Sequence, residues 1–267
     1  DLDGTLLNRE SRISDYTRDT LKRLQQRNIA YTVATGRTLH AARDLLDGCG
    51  FDLPQIFKNG VVIWNPQHQA YSHQYLLTES EIQHLLQALM TQGVSPFIFT
   101  LEPGQRHRVY HPPLQNPNEQ RLAELIGKER NLEVLPLSQI PADADITNIS
   151  ALGPRAALEA VAGLVDTEPG LLAYMGKALE GGDLYWIDIH HSSGNKGGAV
   201  SLLKHELGVD RVLCFGDSDN DLPMFELADE SYAPENARDH VTRAATAVIG
   251  QHPADGIARF LRQRFQL

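Results

Sequence analysis

Asp1-Leu2-Asp3-Gly4-Thr5-Leu6-Leu7 sets two carboxylates either side of one apolar residue and follows them at once with a glycine and a hydroxyl. In an extended segment side chains two apart point the same way, so Asp1 and Asp3 are expected on one face, with Gly4 turning the backbone out of a strand. Two acids on one face repel. The pair becomes tolerable when a cation sits between them or one carboxyl keeps its proton, and a metal-assisted nucleophile with an acid/base partner needs either arrangement. The plainer alternative is an ordinary Asp-Gly turn beside a helix cap. An acid pair of the first kind rides on the end of a buried strand, so a strand is expected upstream of Asp1. A free ammonium there would compete with a metal for the same carboxylates.

The 267 residues are 42% hydrophobic and 22% charged, enough for one large or two ordinary soluble domains. Lys and Arg total 24 against 34 Asp and Glu, a formal charge of -10, without a basic run longer than a pair. That balance excludes a protein that tracks nucleic acid. Cys49 and Cys214 are far apart in apolar surroundings and read as small core side chains of a reducing compartment. No apolar run reaches the ~18 residues of a membrane span and no secretory leader is visible, so the expected compartment is the cytoplasm.

Outward from the first stretch, the spacing predicts a helix over Ser14 to Asn28, a strand over Ile29 to Ala34, and a turn at Thr35-Gly36-Arg37 that opens a second helix through Leu46. A hairpin is expected around Asn65-Pro66. From Thr78 the character changes. Thr78 and Glu81 have capping-box spacing ahead of a helix ending at Gly93. Strands are expected at Phe97 to Leu101, Arg106 to Tyr110, Leu132 to Leu135, Ile146 to Leu152, Leu171 to Tyr174 and Leu184 to Ile189, with helices at Asn118 to Arg130 and Arg155 to Val165. Alternation of helix and strand resumes with a helix over Lys196 to Leu207, the strand Arg211 to Phe215, a helix near Leu222 to Leu227 and two terminal helices. The pattern predicts an α/β parallel-sheet core interrupted by an α+β insertion near residues 78 to 189.

Gly216-Asp217-Ser218-Asp219-Asn220-Asp221 directly follows an apolar strand, where open α/β sheets place their ligands. One aspartate there would cap the next helix; three exceed that need. Asp217 is the best hard-cation ligand, and Asp221 could hold a neighbouring lysine or a water on the metal. Lys196 opposes the dipole at a helix start, a cost of roughly 0.3 to 1 kcal/mol, so something anionic should offset it. Thr35 and Gly36 bring a hydroxyl and amides to one small volume. Arg37 either reaches a substrate anion or pairs with a surface acid. His190-His191 and His107 with His111 lack the arrangement of a transition-metal site, because adjacent side chains in a strand point apart. No hydrolase elbow, zinc-protease helix, Walker loop or dinucleotide fingerprint is present.

Taken together, Asp1-Leu2-Asp3-Gly4-Thr5, Thr35-Gly36-Arg37, Lys196 with Gly197, and Gly216 to Asp221 resemble the motifs of the haloacid-dehalogenase-like phosphohydrolases. The likeness is to the Cof-type branch with a large α/β (type IIB) cap. It spans nearly the whole chain, including Asn59-Gly60, Glu235-Asn236-Ala237 and Ala254-Asp255-Gly256. The resemblance implies a Rossmann-like core built from residues 1–77 and 190–267, with a cap domain inserted at 78–189. It implies that Asp1 attacks phosphorus to become an aspartyl-phosphate and that Asp3 is the acid/base. Mg2+ would bind Asp1, Asp217 and the Asp3 carbonyl, with Asp221 beside them. Thr35, Gly36, Lys196 and Asn220 would hold the phosphoryl oxygens, with Arg37 and Asn59 as further substrate positions. The implied partner is a small phosphorylated metabolite, a sugar phosphate by analogy, with neither nucleic acid nor membrane. A phosphomutase using the same intermediate, or a non-catalytic phosphoester binder, are the alternatives. A mutase hydrolyses a generic aryl phosphate poorly, and mere binding has no use for a nucleophile.

Overall fold

The computed structural model describes residues 1–104, 106–129, 132–142, 144–178, 182–251 and 254–267. The chain divides into two compact units, Asp1–His73 with Gly194–Leu267, and Gln74–Ser193. The architecture is α/β.

The first unit starts with a surprise for the acid pair. Residues Leu2–Leu6 coil into a tight turn, with Asp3 extended (φ -71°, ψ 129°), Gly4 left-handed (φ 73°) and the Leu7 amide donating to the Leu2 carbonyl at 2.9 Å. Asp1 and Asp3 therefore do not share a solvent environment as members of one strand face. The Asp1 side chain is 7% exposed and that of Asp3 54%. Gly4 then reverses the backbone with its positive φ, the turn out of an extended run that its position predicts.

Helix α1 (Asp15–Gln26) begins where the Ser14 hydroxyl accepts from the Thr17 amide and stops at Asn28, which takes the left-handed position (φ 55°). The expected strand at Ile29 to Ala34 shrinks to its end. Ile56 donates to the Val33 carbonyl at 2.9 Å, and Thr35 donates back to Ile56 at 3.0 Å. β-branched residues favour extended backbone, but a ladder also needs a partner, and Ala34 with Ile56 is the bridge this segment makes among the described residues. After α2 (Leu39–Leu46), strands β1 (Gln55–Phe57), β2 (Val62–Asn65) and β3 (Ala70–Gln74) form a sheet in that order. Ile56 pairs with Ile63, and both are fully buried, each side chain contributing about 1.5–3 kcal/mol.

The second unit runs α3 (Glu79–Thr91), β4 (Phe97–Glu102), β5 (Arg106–His111), α4 (Pro117–Glu129), β6 (Glu133–Pro136), β7 (Asp145–Pro154), α5 (Arg155–Val165), β8 (Leu171–Lys177) and β9 (Leu184–His191). The expected end of α4 at Arg130 lies outside the described residues. Thr78 and Glu81 close the capping box that their spacing predicts. The sheet order is β6-β5-β4-β7-β9-β8, antiparallel except for the parallel pair β5 and β6. Leu85, Leu89, Leu158 and Val161 of α3 and α5 pack on one face against Ile98, Ile149 and Ile187. On the other face Ile126 of α4 covers Phe97, Phe99 and Val109. The register carries that second face on through Asn148 and Ser150 of β7 to Asp188 of β9 and Tyr174 of β8. There Asn148 Nδ2 and Ser150 Oγ both donate to Asp188 Oδ1 at 2.6 Å.

The first unit resumes with α6 (Lys196–Leu207), β10 (Leu213–Phe215), α7 (Leu222–Leu227), β11 (Glu230–Pro234), α8 (Asp239–Ala244), β12 (Ala247–Ile249) and α9 (Gly256–Phe265). Strands β10, β11 and β12 form a parallel sheet. Strand β10 starts later than Arg211 because the Val212 amide donates to the Asp229 carboxylate at 2.8 Å instead of to a neighbouring strand. Ala199, Leu203, Met224 and Phe225 pack with Cys214 and Ala233 beneath it.

Candidate active site

The end of β10 gathers residues from opposite ends of the sequence. The Asp1 nitrogen donates to the Phe215 carbonyl at 2.7 Å, which fixes the first residue beside the loop that carries Asp217. Thr5 Oγ1 donates to Asp217 Oδ1 at 2.9 Å, and Asn236 Nδ2 donates to the Gly4 carbonyl at 2.8 Å. Gly4 is required twice over. Its φ is positive, and a Cβ there would stand 2.5 Å from Asp217 Oδ2.

Lys196 sits at the first position of α6, where Asn195 caps the helix by accepting from the Gly198 amide. Its side chain is wholly buried, and Nζ donates to Asp1 Oδ1 and to Asp221 Oδ1, each at 2.7 Å. The anion that a cation at a helix start calls for is thus a pair of carboxylates. Charge-assisted bonds of this kind hold both acids in one geometry. Asp221 has its other oxygen occupied as well, Oδ2 accepting from the Asp217 amide at 2.9 Å and the Ser218 amide at 3.0 Å. Burial works against its charge, but the ammonium of Lys196 and these donors carry the carboxyl below the usual aspartate range.

Asp217 behaves the other way. Burial pushes its carboxyl above the usual range, and the Thr5 hydroxyl only partly offsets this. Carboxylate oxygens of Asp1, Asp217 and Asp221 lie within 4.8 Å of one another. No histidine belongs to that group among the described residues. The third acid of the loop, Asp219, is engaged by Arg238 and His240, which tie the loop to α8.

The remaining expected residues form a second cluster. Thr35 is 1% exposed, and its Oγ1 accepts from the Arg37 amide at 3.2 Å. Asn59, left-handed at φ 57°, donates its amide to the Thr35 carbonyl at 2.9 Å and accepts from Asn220 Nδ2 at 2.8 Å. A Cβ on Gly36 would stand 3.0 Å from Asn59 Oδ1, and one on Gly60 only 2.3 Å from the Asn195 carbonyl. Thr35, Gly36, Asn59 and Asn220 are therefore neighbours, and Gly60 abuts the cap of the helix that carries Lys196. Arg37 leaves this cluster and pairs with Asp3, the surface-acid option of the two its sequence context offers. Sequence reasoning gave no contact to Thr5 or Asn236. The hydroxyl directly after Asp-x-Asp-Gly was the available signal for Thr5, and Asn236 stood only within a resembling segment.

The family model described as haloacid dehalogenase-like hydrolase matches residues 1–261. A 5-amino-6-(5-phospho-D-ribitylamino)uracil phosphatase of Bacillus subtilis is 29% identical over 98% of this chain and 96% of its own length. A pyridoxal phosphate phosphatase of Escherichia coli is 24% identical over 98% and 95%. The crystal structure of a haloacid dehalogenase-like hydrolase from Bacteroides thetaiotaomicron matches with a TM-score of 0.78 at 22% identity, covering 99% of this chain and 97% of that one. The chain belongs to the haloacid dehalogenase-like hydrolases and is a phosphatase, a phosphoric monoester hydrolase of that superfamily. The resemblance drawn from its four motifs holds across the matched length.

Proposed function

We propose that the chain is a Mg2+-dependent phosphatase of small phosphorylated metabolites that works through an aspartyl-phosphate on Asp1. The observation that carries this is the buried Lys196, bonded at 2.7 Å to both Asp1 and Asp221 with Asp217 alongside. A single buried ammonium bonded to two of three clustered carboxylates leaves negative charge short of a partner, and burial already weighs against the charge of the third, Asp217. Membership of the family implies a divalent metal, and the all-oxygen donors of Asp1 and Asp217 fit a hard cation. Asp221, saturated by Lys196 and two amides, serves as the lysine's anchor beside the metal. Bound Mg2+ would supply the charge neutralisation that lets an anionic ester approach an acidic cleft.

In the first half of the reaction an Asp1 carboxylate oxygen attacks phosphorus. The bond from phosphorus to the leaving oxygen breaks, and that oxygen takes the proton carried by Asp3. In the second half water attacks the phosphoryl group, gives a proton back to Asp3, and the bond from phosphorus to Asp1 breaks, restoring the carboxylate. Lys196, Thr35, Gly36, Asn59 and Asn220 hold the phosphoryl oxygens through these steps. Selection of the organic part of the substrate is assigned to the second unit, with residues 78–189 as its cap. The two named relatives dephosphorylate small metabolites, one bearing a sugar-alcohol chain, which supports substrates in the size class of sugar phosphates.

The test is turnover of a panel of phosphorylated metabolites and an aryl phosphate, with Mg2+ and with chelator, for the parent and for Asp1→Asn. Metal-dependent hydrolysis by the parent and none by the variant is expected. Metal-dependent turnover retained by Asp1→Asn contradicts the mechanism. Aryl phosphate turnover that requires a sugar bisphosphate activator would favour a mutase.

A further inference from the structure

We propose that Arg37 is the positioning residue for the acid/base Asp3, an inference that rests on the mechanism above. Asp3 poses a physical problem. Its side chain is 54% exposed on a tight turn, so packing alone does not hold its carboxyl in one direction. A group that must give and take a proton at one oxygen needs to be held within hydrogen-bond reach of it.

Arg37 supplies the missing constraint. Its Nε donates to Asp3 Oδ2 at 2.7 Å and its Nη2 to Asp3 Oδ1 at 2.6 Å, a two-bond fork in which both planar groups are fixed. No other side chain bonds to the Asp3 carboxylate among the described residues. The arginine is itself tied down. Its amide donates to Thr35 Oγ1 at 3.2 Å, its carbonyl accepts from the Lys58 amide at 2.9 Å, and its Nη1 donates to the Ala41 carbonyl at 3.4 Å. Its side chain is 25% exposed against 54% for Asp3, so the guanidinium is the better-anchored partner. Each reacting acid thus has its own cation, Lys196 for Asp1 and Arg37 for Asp3. An arginine with its fork committed to Asp3 is not poised as a clamp on the substrate anion.

Leaving-group chemistry separates the two tasks. An alkyl phosphate expels a strongly basic alkoxide and needs a proton at the leaving oxygen, whereas p-nitrophenyl phosphate expels a stable anion that departs without one. The quantity to read is kcat/KM, which includes steps only up to departure of the leaving group and excludes later hydrolysis of the aspartyl-phosphate. For Arg37→Ala and for Arg37→Gln, which keeps most of the side chain's length, kcat/KM on the alkyl phosphate should fall roughly 10²-fold or more, the size of a lost acid/base contribution. On the aryl phosphate it should change far less. Asp3→Asn sets the benchmark with the same selectivity, and the double variant should be no worse than Asp3→Asn alone, since residues acting as a unit do not add. Arg37→Lys should recover only part of the alkyl activity, because an ammonium cannot make the fork.

Equal losses on both substrates by the Arg37 variants, with Asp3→Asn still selective, would overturn the inference and leave the mechanism standing. Multiplicative losses in the double variant would overturn it too. Absence of selectivity in Asp3→Asn itself would remove the acid role on which the proposal rests.

Discussion

Lys196 and Asp221 define the site at the scale of single residues. Asp221 is fully buried, and its charge is sustained by one ammonium and two amides. Breaking such a pair strands a buried cation. Asp221→Asn is expected to cost ~3 kcal/mol at neutral pH, the lower end for buried pairs because Asp1 keeps one bond to Lys196. The sign of the pH dependence follows from the depressed carboxyl. An acid whose folded pKa lies below its unfolded value contributes stability that is whole above about 3.9 and is lost as pH falls through the folded value. Denaturant melts of parent and variant should therefore differ most near neutrality and converge in acid below about pH 4. A gap that widens on acidification would contradict the assignment. At this scale the sequence was most legible for Lys196, since a cation against a helix dipole announces an anionic partner. It was least legible for Asp3, whose carboxylate is held by Arg37, a partner 34 residues away.

Helix starts and strand ends decide what reaches the site. The span of α6 is the expected Lys196 to Leu207, and Thr78 with Glu81 forms the box their spacing predicts, because capping is local chemistry. Ile29 to Ala34 fared differently. Strand composition is local, but a ladder is a tertiary bond, and only the Ala34 end found one among the described residues. Gly197 shows the same split. It was noted for its place at a helix start, yet its need for hydrogen comes from elsewhere, since a Cβ would stand 2.4 Å from the Pro223 carbonyl of α7. Gly197→Ala should destabilise the chain by roughly 1–3 kcal/mol through overpacking and displace the first turn of α6. Thermal melts paired with kcat should show both losses. An unchanged melting temperature would mean that α6 and α7 tolerate a methyl between them.

Across the whole molecule, the change of character at Thr78 and its reversal after Ser192 were visible because strand-rich and alternating stretches have different periodicities. The substrate was not visible, and neither were the side-chain groupings that only the sheet register creates. Asp188 of β9 is an example of such a grouping, with Asn148 and Ser150 of β7 both donating to one of its carboxylate oxygens. No helix among the described residues is long and apolar enough to cross a membrane. If the second unit selects the organic moiety, Asp188→Ala should reorder kcat/KM across a metabolite panel by about tenfold, equivalent to ~1.4 kcal/mol, while acetyl phosphate turnover holds. Uniform loss on every substrate would place Asp188 in folding instead of selection.

The account turns on Asp1 becoming the phosphate acceptor. Rapid acid quench of the enzyme during turnover of an alkyl or aryl phosphate, followed by peptide mass spectrometry, tests this directly. A phosphoryl group on Asp1 is the predicted result, accumulating further in Asp3→Asn with the aryl phosphate, whose leaving group departs without a proton while water is no longer activated. A phosphoryl group on another residue, or turnover without any covalent phosphoenzyme in parent and variant alike, would contradict it.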